Sequence, residues 1–466
     1  MSQETLPATR RVGDEAKGGS VMSFYAPRGS ARPPQISHAE GVYLYDTDGR
    51  SYMDITSGAV VSNLGHSNPR VVRTMQDQAA KVTFAYPRFF ESRDTVALAN
   101  KICELAGDGF ERAFFVSGGS EANEAALKLA RQYAVARGQG SRHKVISREP
   151  SYHGATLGAL GVTGDAFTEA LYAPMARVSP KIPAPLFYRL PAGTGADEHA
   201  RQCAEALEQR ILNEGPDTVL AFIMEPVGGL SSGASVAPPA YYRHVREICT
   251  RYGVLLIHDE IMSGAGRSGR FLSSHHWPGS APDIVTLAKG LAAGYTPFGA
   301  MLTSARIVDT IASHGGFVHG HTYFSNPFSC AVANAVLDEV IDRDLMAQAS
   351  SLGERLDAGL RQLVQDSPVI GDTRGLGLLR AIEIVRDKVG KKAFPAELNM
   401  PAKLTEHGLR HGIALYNRRA NMGAYGDMQL ITPPLISTPD EIDEMVRRLA
   451  LAVRDLEAQA RQLHLL

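Results

Sequence analysis

Asp283-Ile-Val-Thr-Leu-Ala-Lys-Gly-Leu-Ala-Ala-Gly-Tyr-Thr-Pro-Phe-Gly-Ala300 reads as a buried strand over 284–288, a Gly-rich turn, and a second apolar strand over 298–303. Lys289 stands where the first strand ends. An ammonium taken out of water is costly unless it is paired, neutralised or used covalently. Burial lowers the pKa of such an amine, which is what a Schiff-base lysine requires. A lone lysine snorkelling from a strand end would give the same local pattern, so the rest of the chain has to decide.

Outward from this stretch, the segment from about residue 95 to 305 alternates helical patterns with short apolar strands. The strands are expected at 113–116, 144–147, 220–224, 254–258, 284–288 and 298–303, and helices at 121–137, 197–213 and 239–252. Continuous Val/Ile/Leu strands joined through helices predict an α/β fold with a mostly parallel central sheet covered on both faces. Ligands of such sheets sit beyond the strand carboxyl ends. Upstream, Gly41–Asp54 alternates around an Asp-x-Asp-Gly turn and predicts a hairpin, and a helix follows over 70–81. Downstream come a long helical run from about 330 to 365, a strand-turn-strand over 369–383 and a closing amphipathic helix over 438–463. The expected organisation is an N-terminal arm (1–35), a segment joining the small domain (36–70), a large domain (71–334) and a smaller α+β domain (335–466).

With 466 residues, a net charge of -1 and a pI near 7.0, the chain carries no basic excess that would mark nucleic acid or an anionic membrane as partner. Cys103, Cys203, Cys249 and Cys330 are scattered without a Cys-x-x-Cys pair, which fits a reducing cytoplasm and neither a disulfide framework nor a zinc site. Met1–Ser20 has no apolar core of a signal peptide, and no apolar run is long enough to span a bilayer.

Four further stretches bear chemistry. Val116-Ser-Gly-Gly-Ser-Glu-Ala-Asn123 follows a strand and opens a helix, so its small residues and the helix N-terminus can cradle an anion; a plain Ser-capped turn is the alternative. Ser151-Tyr-His-Gly154 offers Tyr152 as an aromatic plate. Ile257-His-Asp-Glu-Ile261 ends an apolar strand on Asp259, a carboxylate that needs a cation: a protonated pyridine nitrogen or an arginine. Glu225-Pro-Val-Gly-Gly229 closes another strand in the same way. An anion cup, an aromatic plate, a carboxylate and a lysine at strand ends of one sheet together suit pyridoxal phosphate.

These motifs, with Asp259–Gly269 (Asp-Glu-Ile-x-x-Gly-x-Gly-Arg-x-Gly), Ala288-Lys-Gly290 and His321–Pro327 (His-Thr-Tyr-x-x-Asn-Pro), resemble class III pyridoxal-phosphate aminotransferases from about Gly41 to Leu449. The resemblance implies the type I aminotransferase fold and a homodimer, possibly a tetramer, with shared active sites. It implies that Lys289 forms the Schiff base, Asp259 pairs with the pyridinium, Tyr152 stacks on the ring and Ile261 packs on the other face. Gly118, Gly119 and Ser120 would hold the phosphate, with Thr322 reaching it from the neighbouring subunit; His153 and Glu225 would lie beside the cofactor. The implied activity moves an amino group from an amine or (ω-)amino acid to a keto acid such as pyruvate, in a ping-pong cycle. An aminomutase, an epimerase, a decarboxylating aminotransferase or a silent cofactor-binding homologue would share the motifs.

Three departures stand out. Met262 occupies a position where some relatives have a Gln contacting the ring hydroxyl, and Gly58-Ala-Val60 lacks the Trp of several amine transaminases. Val60 and Tyr86 are the expected lining of the substrate pocket. Arg418 or Arg419, before Pro433-Pro-Leu435, is the expected carboxylate binder, although two solvated arginines would look the same. His314, His319 and His321 cluster in a Gly-rich segment with no carboxylate nearby in the sequence, so no metal site is expected.

Overall fold

The protein is described by a computed structural model covering residues 32–417 and 423–466. Its largest sheet has seven strands: β4 (Arg112–Val116), β5 (Lys144–Glu149), β6 (Lys181–Pro183), β7 (Val219–Met224), β8 (Leu255–Asp259), β9 (Ile284–Ala288) and β10 (Gly299–Thr303). Their spatial order is β4-β10-β9-β8-β7-β5-β6. All neighbours along β6-β5-β7-β8-β9 are parallel, whereas β10 runs antiparallel between β9 and β4. The sheet is therefore mostly parallel, as its continuous apolar strands predict.

Every residue of β7 is buried, and side chains leave the sheet on both sides. Ile223 and Ile257 pack with Ala126, Leu129 and Tyr133 of the helix Gly119–Ala136. Phe222 and Leu256 pack with Leu207, Tyr241 and Val245 from the helices Ala196–Glu214 and Pro239–Tyr252. Each large apolar side chain buried this way contributes on the order of 1.5–3 kcal/mol. The strand period of two and the helix period of 3.6 meet in one three-layer arrangement.

Two four-stranded sheets flank this core region. One is β1 (Ile36–Glu40), β2 (Tyr43–Asp46), β3 (Ser51–Asp54) and β13 (Ile413–Ala414) in that order, with β2 and β3 forming the expected hairpin. The parallel pairing of β13 with β3 at Met53 and Asp54 brings C-terminal chain to the N-terminal hairpin. The other is β11 (Ile370–Leu376), β12 (Leu379–Ile384), β15 (Asp427–Ile431) and β14 (Tyr416–Asn417). The closing helix, Pro439–Gln462, starts with a reciprocal cap: Thr438 Oγ1 accepts from Glu441 N–H at 3.2 Å, and the Glu441 carboxylate accepts from Thr438 N–H at 2.8 Å.

Three differences from the sequence reading have local causes. The expected helix over 330–365 is two helices, Pro327–Asp342 and Leu345–Asp366, broken where Asp344 takes a φ of 49°. The three-residue β6 is too short to show periodicity. The reversal of β10 follows from the tight Gly-rich turn after Lys289, which returns the chain beside β9.

Candidate active site

β10 decides the geometry of the site. Gly299 at its start pairs with Val116 at the end of β4 on one side and Ala288 at the end of β9 on the other. The Ser117–Ser120 turn and Lys289 therefore emerge one strand apart. A Cβ on Gly299 would lie 2.6 Å from the Gly118 carbonyl oxygen, so only glycine allows this approach.

Lys289 has a φ of 46°, a left-handed conformation that costs a non-glycine residue on the order of 1–3 kcal/mol. Its neighbours Ala288 and Gly290 are buried, while its own side chain keeps partial exposure. Desolvation pulls its amine from 10.5 to about 8, against the opposing pull of Asp259 and Glu225.

Asp259, at the end of β8, is buried and surrounded by donors. Its Oδ2 accepts from Asn123 Nδ2 and from His153 Nδ1, both at 2.8 Å, and its Oδ1 accepts from Ile261 N–H at 3.1 Å. Asn123 Nδ2 also donates to the His153 carbonyl at 2.6 Å, and Thr286 Oγ1 donates to Asn123 Oδ1 at 2.8 Å. His153 Nε2 is buried and has no hydrogen-bond partner among the described residues.

Glu225, just after β7, accepts from Gly229 N–H at 3.0 Å and from Tyr152 N–H at 3.3 Å. Burial pushes its carboxyl up, His153 and Arg148 pull it down, and Asp259 adds to the rise. Arg148 donates to the Glu225 backbone carbonyl. Met262 packs over the same turn, since a Cβ on Gly229 would meet its sulfur at 2.7 Å.

The Ser117–Ser120 turn opens the helix Gly119–Ala136, whose first amides lack intrahelical acceptors. Ser120 Oγ accepts from Ala155 N–H at 3.0 Å and lies where a Cβ on Gly154 would be, at 2.6 Å. Ile261 covers Gly119: a Cβ there would stand 2.7 Å from Ile261 Cδ1. Gly118 is extended and faces open space. An anion cradle, an amine of lowered pKa and a buried carboxylate with an accepting oxygen are the groups pyridoxal phosphate needs, so the residues present fit it.

Val60 is buried with a φ of 63°, beside Val227 and Leu230. Tyr86 and Thr322 are exposed elsewhere, lining a cavity of about 920 Å³ with Phe114, Phe317, His319 and Phe324. Arg418 and Arg419 lie outside the described residues. The expectation that the His314–His321 cluster has no carboxylate is corrected: His321 Nε2 is 3.3 Å from Glu121 Oε2, because folding lays this segment on the helix after β4. No metal-holding group of His, Cys, Asp or Glu occurs among the described residues. Sequence reasoning gave no role to Asn123, Arg148 or Thr286; a polar residue inside the apolar run 284–288 was the available signal for the last.

The family model for "Aminotransferase class-III" matches residues 24–453. The chain belongs to the class III aminotransferases. This aminotransferase is 36% identical over 441 residues to the uncharacterized aminotransferase YodT of Bacillus subtilis, covering 94% of this chain and 99% of that one. It is 33% identical to the putrescine–pyruvate aminotransferase of Pseudomonas aeruginosa, over 88% of each. The ω-transaminase of Pseudomonas jessenii, solved in complex with PMP, superimposes with a TM-score of 0.87 at 31% identity, covering 94% of this chain and 97% of that one. The enzyme thus has the type I aminotransferase fold, depends on pyridoxal phosphate and catalyses transamination. No helix among the described residues is long and apolar enough to cross a membrane.

Proposed function

We propose that this aminotransferase takes its amino group from a primary amine or ω-amino acid and delivers it to a small keto acid such as pyruvate. The observation that carries the reading is Lys289: an amine pulled to about 8, at the end of β9, beside Asp259 and Glu225. A putrescine–pyruvate relative supports the substrate class, and so does the absence of a bulky aromatic at Gly58-Ala-Val60.

Bound pyridoxal phosphate supplies an electron sink for the charge left when the substrate carbon loses its proton. Lys289 would hold the cofactor through Nζ and, once released, carry that proton near neutral pH, where its amine can both take and give one. Asp259 would keep a negative charge at the ring nitrogen. Tyr152 and Ile261 would flank the ring, with Gly118, Gly119 and Ser120 around the phosphate and His153 and Glu225 at its edge. Val60 would line the donor pocket, which Tyr86, like Thr322, would reach from the neighbouring subunit, with Arg418 or Arg419 for a carboxylate.

The same reading has the enzyme working as a homodimer in the cytoplasm, with Thr322 reaching the neighbouring subunit's phosphate. Supporting it, Phe89, Phe90, Tyr323 and Val318 are 71%, 66%, 63% and 80% exposed, an apolar face that water disfavours. It also groups 36–70 with 335–466 as a small domain around 71–334, preceded by the arm 1–35.

The test is the visible absorption of the loaded enzyme titrated with amines and amino acids in the absence of keto acid. Conversion of the band by diamines or ω-amino acids, and its return with pyruvate, is the expected outcome. A band that never converts while an isomer of the substrate accumulates would replace transamination of this donor class with an aminomutase or epimerase reaction. Sedimentation at a monomer's mass would overturn the dimer.

A further inference from the structure

We propose that Thr286 and Asn123 are positioning residues that fix the orientation of Asp259 and commit its Oδ1 to the cofactor; the inference rests on the reading that Asp259 faces the ring nitrogen.

A side-chain amide can sit in either of two orientations that exchange oxygen for NH2. Around Asn123 only one is compatible with its neighbours. On one side lie two pure acceptors, Asp259 Oδ2 at 2.8 Å and the His153 carbonyl at 2.6 Å. On the other lies the Thr286 hydroxyl at 2.8 Å, which can donate to the amide oxygen. Turning the amide over would set its oxygen against both acceptors. Asn123 and Thr286 are fully buried and His153 and Asp259 nearly so, which leaves no water to absorb the mismatch.

The hydroxyl of Thr286 makes no other hydrogen bond among the described residues. It sits in the middle of β9, paired in register with Asp259 on one side and Met301 on the other, and valine would serve the strand equally well by shape. The chain of contacts runs from Thr286, on the strand that carries Lys289, through Asn123, on the helix that opens at the phosphate cup, to Asp259. It loads Oδ2 with two side-chain donors, Asn123 Nδ2 and His153 Nδ1. Oδ1 keeps one backbone N–H and spare acceptor capacity for a cation. The titratable groups facing this carboxylate are His153, Glu225 and Lys289.

The test uses the full-length enzyme and the variants Thr286→Val, Thr286→Ser, Asn123→Ala and Asp259→Asn. Three quantities are read: the pH midpoint of the visible cofactor band, the dissociation constant for pyridoxal phosphate, and the melting temperature of the cofactor-free protein. Thr286→Val and Asn123→Ala are expected to move the midpoint by about half a pH unit or more and to weaken cofactor binding several-fold, with Thr286→Ser close to wild type. A lowered melting temperature with unchanged midpoint and affinity would reduce both residues to packing and overturn the inference. If Asp259→Asn moves the midpoint while the other variants do not, the inference fails and the reading of Asp259 stands. If Asp259→Asn moves nothing, the reading itself fails.

Discussion

Asp259, the last residue of β8, and Arg267 stand at the two ends of one short segment, and each is a buried charge held by hydrogen bonds. Asp259 takes its hydrogen bonds from an amide, an imidazole and a backbone N–H. Arg267 gives its own to the carbonyls of Leu378 and Pro433, to Ser57 Oγ at 3.2 Å and to Asn63 Oδ1 at 2.6 Å. Burial pulls the Arg267 guanidinium down to about 9, against the opposing pull of the Asp54 carboxylate. The difference is what each end touches. Asp259 adjoins the partly exposed Lys289 and the turn that forms an anion cradle, so a ligand can complete its charge. Arg267 is sealed, and its four bonds reach three distant parts of the chain. Asn63, one of its partners, packs on Gly290, where a Cβ would come within 2.2 Å of Asn63 Nδ2. A buried charge thus points to chemistry where it adjoins a second, partly exposed titratable group and to architecture where its hydrogen bonds only tie distant segments together.

Substitutions on the open side should act on catalysis. Lys289→Ala is expected to show the largest effect, a loss of amino transfer of about 10³-fold or more in steady-state turnover, because the proposed roles of its amine, covalent anchor and proton carrier, would both be lost. Turnover at the wild-type rate would remove Lys289 from the chemistry. Asp259→Asn comes next, with a loss of roughly 10²–10³-fold in kcat and a folded, cofactor-depleted protein by dialysis and absorbance. Those two outcomes would place the open side's function in charge rather than packing.

The sealed side should act on stability. Arg267→Ala leaves the Leu378 and Pro433 carbonyls and Asn63 Oδ1 unpaired and opens a cavity, so a loss of about 3 kcal/mol or more is expected in denaturant titration of the folded enzyme. A stable variant with an altered cofactor spectrum would instead carry Arg267 over to the catalytic side.

The smallest effect sharpens the contrast through pH. The Lys289 amine lies near 8 in the folded chain and at about 10.5 when exposed, so the unfolded chain binds more protons between those values and stability rises with pH there. The penalty for burying the charged amine is fully present below about pH 8 and disappears as pH approaches 10.5. Lys289→Met should therefore stabilise the cofactor-free protein most below pH 8, with the gain shrinking toward pH 10.5, as read from paired denaturation curves. A gain independent of pH would mean that the lysine is not desolvated.

Most of the candidate site was legible in the chain because its residues are out of place in their local pattern. A lysine and an aspartate end apolar strands, and glycines crowd a strand-to-helix turn. Thr286 was equally out of place, yet its partner could not be named, since Asn123 lies on a helix far away in sequence. Likewise the sequence showed histidines around His321 but not the carboxylate of Glu121 that folding sets beside them.

Local composition alone, then, determined the alternation of strands and helices and the hairpin near the N-terminus, and it singled out Lys289, Asp259 and the Ser117–Ser120 turn as candidates. Hydrophobic period and turn chemistry act over a few residues, so they can be read without coordinates. Tertiary structure decided that β4 pairs on the far side of β10, which brings Lys289 and the Ser117–Ser120 turn to one place. It also decided which hydrogen-bonding groups hold Asp259 and Arg267. Hydrogen-bond partners and desolvation depend on which distant segments meet, and no local pattern encodes that meeting.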